Sequence, residues 1–300
     1  MAVTSMVASS LKNYQKTNML SGVREKLITV WAVLSAGGGS PATNGSYQGG
    51  AGGAGGMIDT TVVLEPGSFT VTVGAGGAGV PTNYTTGNNG SNSVFASLTA
   101  NGGGLGGSPN TVGGVGGCGG GSGYNQGGEA AADGTGQGSN GGRGYGNLFG
   151  GGGGAWEGGN DRDGSYFRVG GHGKATRVIS TTVATAQSVG QVGTYGPTAV
   201  AQVFLSGGGA GGPNSPYAAG AGLGGGGLYN TAGAANSGGG AGSLPLYAYN
   251  VAGGSGVVIL RLSTSVRVTI SAGLTYVTDE SLDNSIAYIF KAGTGTVGLA

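Results

Sequence analysis

GGAGGAGG, residues 49–56, repeats a three-residue unit, and the unit returns as GAGGAG at 74–79 and GGVGGCGGG at 113–121. Three is neither the helical period of 3.6 nor the strand period of 2. It is the period of the left-handed polyproline-II helix, which has three residues per turn and no internal hydrogen bonds. With two glycines per turn, one column carries side chains and the other two faces are bare backbone. Bare faces let neighbouring helices come close enough to exchange N–H···O=C bonds. The runs therefore read as an ordered glycine lattice, provided that other parts of the chain pin it.

Two other readings of the composition are weaker. Glycine supplies 77 of 300 residues, but the strict every-third-residue register and abundant proline of collagen are missing, with only 8 prolines present. A flexible Gly/Ser coil is the ordinary expectation, and freezing glycine sits at the costly end of about 1–2 kcal/mol per residue of backbone entropy. Disordered chains, however, combine low hydrophobicity with high charge. Here 37% of residues are hydrophobic and 8% charged.

Patterned apolar segments separate the glycine runs. Ile28 to Leu34 (ITVWAVL) predicts a strand with Ile28, Val30, Ala32 and Leu34 on one face. Asp59 to Glu65 and Ser68 to Val73 predict two strands joined by a tight turn at Pro66-Gly67. Val94 to Ala100 predicts another strand, between the turn signals Asn89-Gly90 and Asn101-Gly102. Ala175 to Thr185 and Thr198 to Leu205 regain β character, and Val257 to Leu262 (VVILRL) has the continuous apolar run of a buried strand. Residues 263–300 alternate at Val266, Val268 and Ile270 and again over Ile286 to Phe290, which predicts a small C-terminal β module. The expected fold is all-β: a jelly-roll-like β-sandwich over residues 28–262, burying Phe69, Phe95, Val257, Ile259 and Leu262, with a polyglycine-II bundle attached. Residues 1–27 are nearly free of glycine. Val3, Met6, Val7, Leu11 and Tyr14 fall at i, i+3, i+4 spacing there, so the segment reads as either a frayed terminus or a docking arm onto a larger assembly.

Charge and motifs argue against chemistry. A net charge of +1 gives no general electrostatic reason to bind nucleic acid or acidic membranes. The longest apolar stretch, Leu27 to Ala36, is far short of the roughly 20 residues of a spanning helix. Lys12, Lys16, Arg24 and Lys26, with no apolar region before a cleavage site, do not make a secretory signal. Gly74 to Gly79 matches the dinucleotide fingerprint after a strand, but Val80, Pro81 and a polar stretch follow where the phosphate-binding helix is needed. Gly173-Lys174 lacks the first glycine and the Ser/Thr of a phosphate loop. Asp161-Arg162-Asp163-Gly164 lacks the later ligands of a calcium loop, and one histidine (His172) with one cysteine (Cys118) makes no zinc cluster. No catalytic, cofactor or metal site is expected, and Cys118 reads as a small apolar filler in the side-chain column.

Aromatic residues interrupt the glycine: Tyr124, Tyr145, Phe149, Trp156, Tyr166 and Phe167 in one block, and Tyr195, Tyr217, Tyr229, Tyr247 and Tyr249 in or near another. Rigid rings among Ser, Gly and Asn resemble a paratope in composition. Alternatively, the rings plug the ends of the lattice and cover the core. Tyr145, Trp156, Tyr166, Tyr217 and Tyr229 are the candidate receptor-binding residues.

Taken in order, PGSFTVTVGAGGAG (66–79), GSNSVFASLTANGGGLGG (90–107) and GGSGVVILRL (253–262) resemble the glycine-rich domain of bacteriophage tail-fibre and related virion proteins. The glycine-rich region of anaplastic lymphoma kinase receptors and the polyglycine-II lattices of phage receptor-binding adhesins are similar in kind. The resemblance implies a phage structural protein on the particle surface, a tail-fibre or receptor-binding component. Its partners would be other virion proteins and a host cell-surface glycan or outer-surface protein, and it would act as a homo-oligomer with the trimeric symmetry usual for fibres. A capsid decoration or head-fibre protein and a non-viral surface protein are the alternatives. The family motif defines no functional residues, so none is carried over.

Overall fold

The computed structural model describes residues 26–42, 49–81, 85–124, 131–144, 149–159, 169–195, 200–212, 220–245, 248 and 250–300. The described chain is predominantly β, with one short helix. In chain order the elements are β1 (Ile28–Ser35), β2 (Met57–Leu64), β3 (Gly67–Thr72), β4 (Ser93–Phe95), β5 (Leu98–Ala100), β6 (Lys174–Thr176), α1 (Thr181–Gln187), β7 (Gln191–Gly193), β8 (Gln202–Leu205), β9 (Val257–Ser263), β10 (Val268–Ile270), β11 (Leu274–Asp279) and β12 (Ser285–Leu299).

Nine strands form one antiparallel sheet in the order β2-β1-β9-β12-β3-β4-β5, with β10 and β11 also pairing with β12. The terminal strands β2 and β5 lie against each other, so the sheet is nearly closed. Gln137 stitches that seam: its amide oxygen accepts from Asn101 N at 2.8 Å, its amide nitrogen donates to Thr99 O at 2.9 Å, and its carbonyl accepts from Met57 N at 3.0 Å.

The alternation in β1 works as expected. Ile28, Val30, Ala32 and Leu34 face the interior with Val258, Leu260, Leu262, Val71, Phe95, Phe290, Val297 and Leu299. The opposite face is buried too. Val33, Val257, Ile259, Ala287 and Ile289 pack on Val178 and Ile179 of the β6–α1 connection, Ala184 of α1, and Val203 and Leu205 of the small sheet β6-β8-β7. Burial on both sides explains the unbroken apolar run at 257–260, each large side chain contributing about 1.5–3 kcal/mol.

Three expectations change. Residues 263–300 are not an appended module: β12 lies between β9 and β3 near the middle of the sheet. It pairs with β9 through Ser285–Phe290, turns at Gly293 (φ 101°), and pairs with β3 through Thr294–Leu299. The Pro66-Gly67 turn joins two strands as expected, and these take different neighbours, β2 bordering β1 and β3 bordering β12 and β4. VFASLTA is a hairpin, β4–β5, turning at Ala96 (φ 51°) with Phe95 opposite Leu98. Within the segment 175–185, only the start is strand; Ser180 caps α1, its hydroxyl accepting from Val183 N at 3.3 Å. That cap is held to β11 by Asp279, whose carboxylate accepts from Ser180 N at 2.7 Å and from the Ser281 hydroxyl at 2.6 Å.

The glycine runs leave the sheet side by side and bond to one another at once. Gly256 N reaches Gly74 O, Gly37 N reaches Ser91 O and Ala36 N reaches Gly56 O, at 2.8–3.1 Å. The bonds then repeat every third residue. Ala36, Gly39 and Ala42 donate to Gly56, Gly53 and Gly50, while Gly37 and Ser40 donate to Ser91 and Asn88. Successive residues address different neighbours. The amides of Gly37, Gly38 and Gly39 go to Ser91, Gly254 and Gly53, and their carbonyls accept from Gly103, Gly77 and Ala241. Three glycines thus touch six other stretches of chain. The 50–56 run behaves alike: Gly50, Gly53 and Gly56 donate to Gly107, Gly104 and Asn101, Ala51 and Ala54 to Gly150 and Gly153, and Gly52 and Gly55 to Ala241 and Gly238.

Close approach, not backbone freedom, explains these glycines. A Cβ on Gly52 would lie 2.0 Å from Gly39 O, and one on Gly240 would lie 2.1 Å from Gly52 O. The side-chain column holds Ala51, Ala54, Cys118, Ala210 and Ala241, all fully buried. Cys118 acts as the expected filler. Burial pushes its thiol up to about 12.

Candidate functional site

Trp156 stands on a tight turn where the chain leaves the lattice. Gly154 N donates to Glu157 O at 2.8 Å, Ala155 N to Ser206 O at 2.9 Å, and the amides of Trp156 and Glu157 to His172 O at 3.0 and 3.1 Å. The backbone is therefore fixed on both sides, while the indole is 62% exposed.

Beside this turn lies the outer face of the small sheet. In β8, Val203 and Leu205 point into the core, which places Gln202 and Phe204 on the other side. Ala175 pairs with Phe204 across β6–β8. Tyr195, just after β7, is 41% exposed, and its ring lies on His172 with centroids 4.5 Å apart and planes tilted by 52°. His172 Nδ1 accepts from Leu223 N at 3.0 Å, which sets that ring. The Tyr195 hydroxyl donates to Glu157 Oε1. That bond, with smaller effects from burial and from the Glu157 charge, holds the phenol above its ordinary pKa.

Together Trp156, Gly173, Lys174, Ala175, Tyr195, Gln202 and Phe204 line an open pocket of about 360 Å³. Its rings are those of Trp156, Tyr195 and Phe204, with Gln202 on the same sheet face as Phe204, while Lys174 stands opposite the core-facing Leu205. Such a surface binds by shape, stacking and a few polar contacts. Among the described residues no group of three or more His, Cys, Asp or Glu could hold a metal ion, and no helix is long and apolar enough to cross a membrane.

A sequence model of the glycine-rich domain matches residues 17–263. The chain belongs to the glycine-rich domain family. No curated protein and no solved structure matches it.

Of the aromatic candidates in this glycine-rich domain, Trp156 lines the pocket. Tyr229 is half-buried next to the exposed Leu228 and is not part of that lining. Tyr145, Tyr166 and Tyr217 lie outside the described residues, as do Val3, Met6, Val7, Leu11 and Tyr14 of the N-terminal segment. Gln202 and Phe204 carried no signal in sequence, because only the pairing of β8 with its neighbours and the choice of its buried face bring them to the pocket. Tyr195 was legible as an aromatic near a glycine block, but its partner Glu157 was not.

Proposed function

We propose that this protein is a structural component of a bacteriophage particle, a tail-fibre or receptor-binding part that attaches to the host surface without catalysing a reaction. The observation that carries the reading is Trp156, an exposed indole on a pinned turn beside a ring-lined pocket, at the edge of a lattice made almost wholly of backbone. A scaffold of that kind presents contacts rigidly and supplies none of its own. The ordered strand–glycine motifs shared with phage virion proteins support the same reading.

The three-residue alternation of hydrogen-bond partners is read here as polyglycine-II helices bundled on a jelly-roll-like β-sandwich. In the particle the protein sits on the outer surface, bound to other virion proteins as a homo-oligomer, a trimer by the symmetry usual for fibres.

The test is competition. Purified protein added to host cells before the phage reduces adsorption in proportion to its occupancy of the surface. Unchanged adsorption at saturating protein rejects attachment. A copy number in the hundreds per particle in that case places the protein on the capsid as decoration.

A further inference from the structure

We infer that the pocket between the 154–157 turn and the β6–β8 face receives a small organic cation, a methylated ammonium group such as surface polymers and lipid headgroups carry. The inference deepens the attachment reading by naming the ligand class, and rests on it for its biological use.

The rings come first. A quaternary ammonium spreads its charge over methyl groups, sheds water readily and lies against aromatic faces, whose quadrupole is negative. Trp156, of the ring type that binds cations best, is exposed here while its own amide and that of Ala155 are tied to His172 O and Ser206 O. Phe204 is buried beneath it in the floor, beside Ala175, and Tyr195 forms a third wall. His172 braces the Tyr195 ring and Glu157 holds its hydroxyl. An open volume of about 360 Å³ among fixed rings leaves room for a trimethylammonium and its alkyl arm.

The charge comes second, and its sign is negative. Glu157 holds its carboxylate at the hydroxyl end of Tyr195, where Oε1 accepts the phenol O–H. The backbone beneath it is fixed on both sides, N donating to His172 O at 3.1 Å and O accepting from Gly154 N at 2.8 Å. The two basic residues described at this site do not cancel that charge. Lys174 pairs with Leu205 across β6–β8, so its side chain leaves on the core side, away from Phe204. His172 Nδ1 accepts from Leu223 N, which keeps that nitrogen unprotonated and the imidazole neutral. A pyranose suits the pocket less well. Its rim of hydroxyls needs several polar partners, whereas the side chains on the Phe204 face are rings, Ala175 and the single amide of Gln202.

Choline is the probe, because its charge is independent of pH, and 3,3-dimethylbutan-1-ol is its uncharged counterpart of the same shape. The protein carries two tryptophans, Trp31 and Trp156. Trp31 is half-buried, with its indole N–H on Asp59 at 2.6 Å, so a Trp31→Phe background reports Trp156 alone. Both probes are titrated into that background at constant ionic strength while indole emission is followed. A few ring contacts and one carboxylate predict a Kd on the order of millimolar, so titration to roughly 50 mM suffices. The expected result is a saturable change with choline and about tenfold weaker binding of the alcohol. In ligand-observed NMR on the chain with both tryptophans, Trp156→Ala abolishes binding of both probes. Glu157→Gln keeps an acceptor for Tyr195 and removes the charge, so it weakens choline severalfold and leaves the alcohol unchanged. Leu228→Ser, on another exposed surface, changes nothing. Cosedimentation with phosphatidylcholine vesicles that is lost in Trp156→Ala assigns a lipid source; retention on immobilised choline without cosedimentation assigns a polymer.

Equal binding of the two probes, or a choline affinity untouched by Glu157→Gln, overturns the cation specificity. Tighter binding of methyl glucoside than of choline makes this a sugar site and overturns the inference. No binding of choline overturns it as well, even if the protein still blocks adsorption. Trp156-dependent choline binding by a protein that does not block adsorption leaves the site standing and removes the attachment reading.

Discussion

Replacing Gly39 by alanine tests whether the glycines are there for space. An alanine Cβ at this position would lie 2.1 Å from Gly104 O and 2.7 Å from its carbonyl carbon, where real Cβ contacts essentially never fall below 3.0 Å. The 101–108 stretch would have to retreat by roughly 1 Å, and such overpacking costs about 1–3 kcal/mol. The retreat also strains the bonds that hold Gly104: its carbonyl accepts from Gly53 N at 2.8 Å and its amide donates to Cys118 O at 2.9 Å. Each buried group left without its partner costs about 1–3 kcal/mol. Alanine stiffens the unfolded chain and returns only about 0.4–1 kcal/mol. A net loss of about 2–5 kcal/mol follows, a large fraction of the 5–15 kcal/mol typical of a whole domain.

Gly220→Ala is the matched control. Among the described residues the nearest atom to its Cβ is Val169 Cγ1 at 3.7 Å, an ordinary contact, and its φ is not positive. The same chemical change there stabilises by about 0.4–1 kcal/mol. Urea unfolding of both variants, followed by near-UV circular dichroism at one protein concentration, gives the comparison. If Gly39→Ala falls within about 0.5 kcal/mol of the parent, or Gly220→Ala loses as much as Gly39→Ala, the close-packing argument is wrong.

Other substitutions address other joints of the fold. Ser35 Oγ meets Ser206 Oγ at 2.7 Å and donates to Ser237 O at 2.9 Å, all buried, so Ser35→Ala costs about 1–3 kcal/mol; the double variant with Ser206→Ala, read by urea midpoint, costs less than the two singles combined. Cys118 is buried with its thiol pushed up to about 12, so in native protein at about pH 8 it resists a disulfide-exchange reagent and reacts only on unfolding; rapid native labelling would contradict its placement. Burial acts to raise the pKa of Asp279, but hydrogen bonds from Ser281 and Ser180 outweigh it and leave the carboxyl below its ordinary value. Its stabilising contribution is thus complete above the unfolded-state pKa and is lost as pH falls through the lower folded-state value, so Asp279→Asn lowers the urea midpoint at about pH 7 and narrows its gap to the parent near pH 2. An undiminished gap in acid refutes that linkage.

Local periodicity made much of this fold legible. The two-residue alternation of Ile28, Val30, Ala32 and Leu34 names the interior face of β1, and the three-residue unit of 49–56 recurs in the spacing of its hydrogen bonds. Where local preference and tertiary context compete, the reading is weaker. TTVATAQ is rich in β-branched residues, yet the Ser180 cap and the apolar surface against Ala184 make it helical. Ala96 is not an ordinary turn residue, so VFASLTA read as one strand. The position of β12 depends on partners such as Val71 opposite Gly295, more than 200 residues away in sequence, about which alternation says nothing. The pocket divides the same way. Trp156 is visible as an aromatic among glycines, whereas Phe204 and Gln202 become its neighbours only after β8 has chosen which face to bury.

The lattice also restricts where function can reside. Gly37, Gly38 and Gly39 each use both backbone groups on other segments, and the Cβ positions of Gly37, Gly38 and Gly39 meet backbone oxygens at 1.9–2.2 Å. A side chain added there cannot point to solvent, because no direction is free. Any recognition must therefore come from turns and strand faces at which the chain leaves the array, and these inherit its rigidity. The 154–157 turn has that relation to the array: Gly153 and Gly154 are still buried in it, and Trp156 is out in solvent two residues later. A large side chain so placed loses little freedom when it binds, since the backbone beneath it is already fixed by bonds to His172 O and Ser206 O. On the proposed attachment reading, glycine would contribute to affinity only indirectly, by removing the entropic cost of holding the few side chains that make contact.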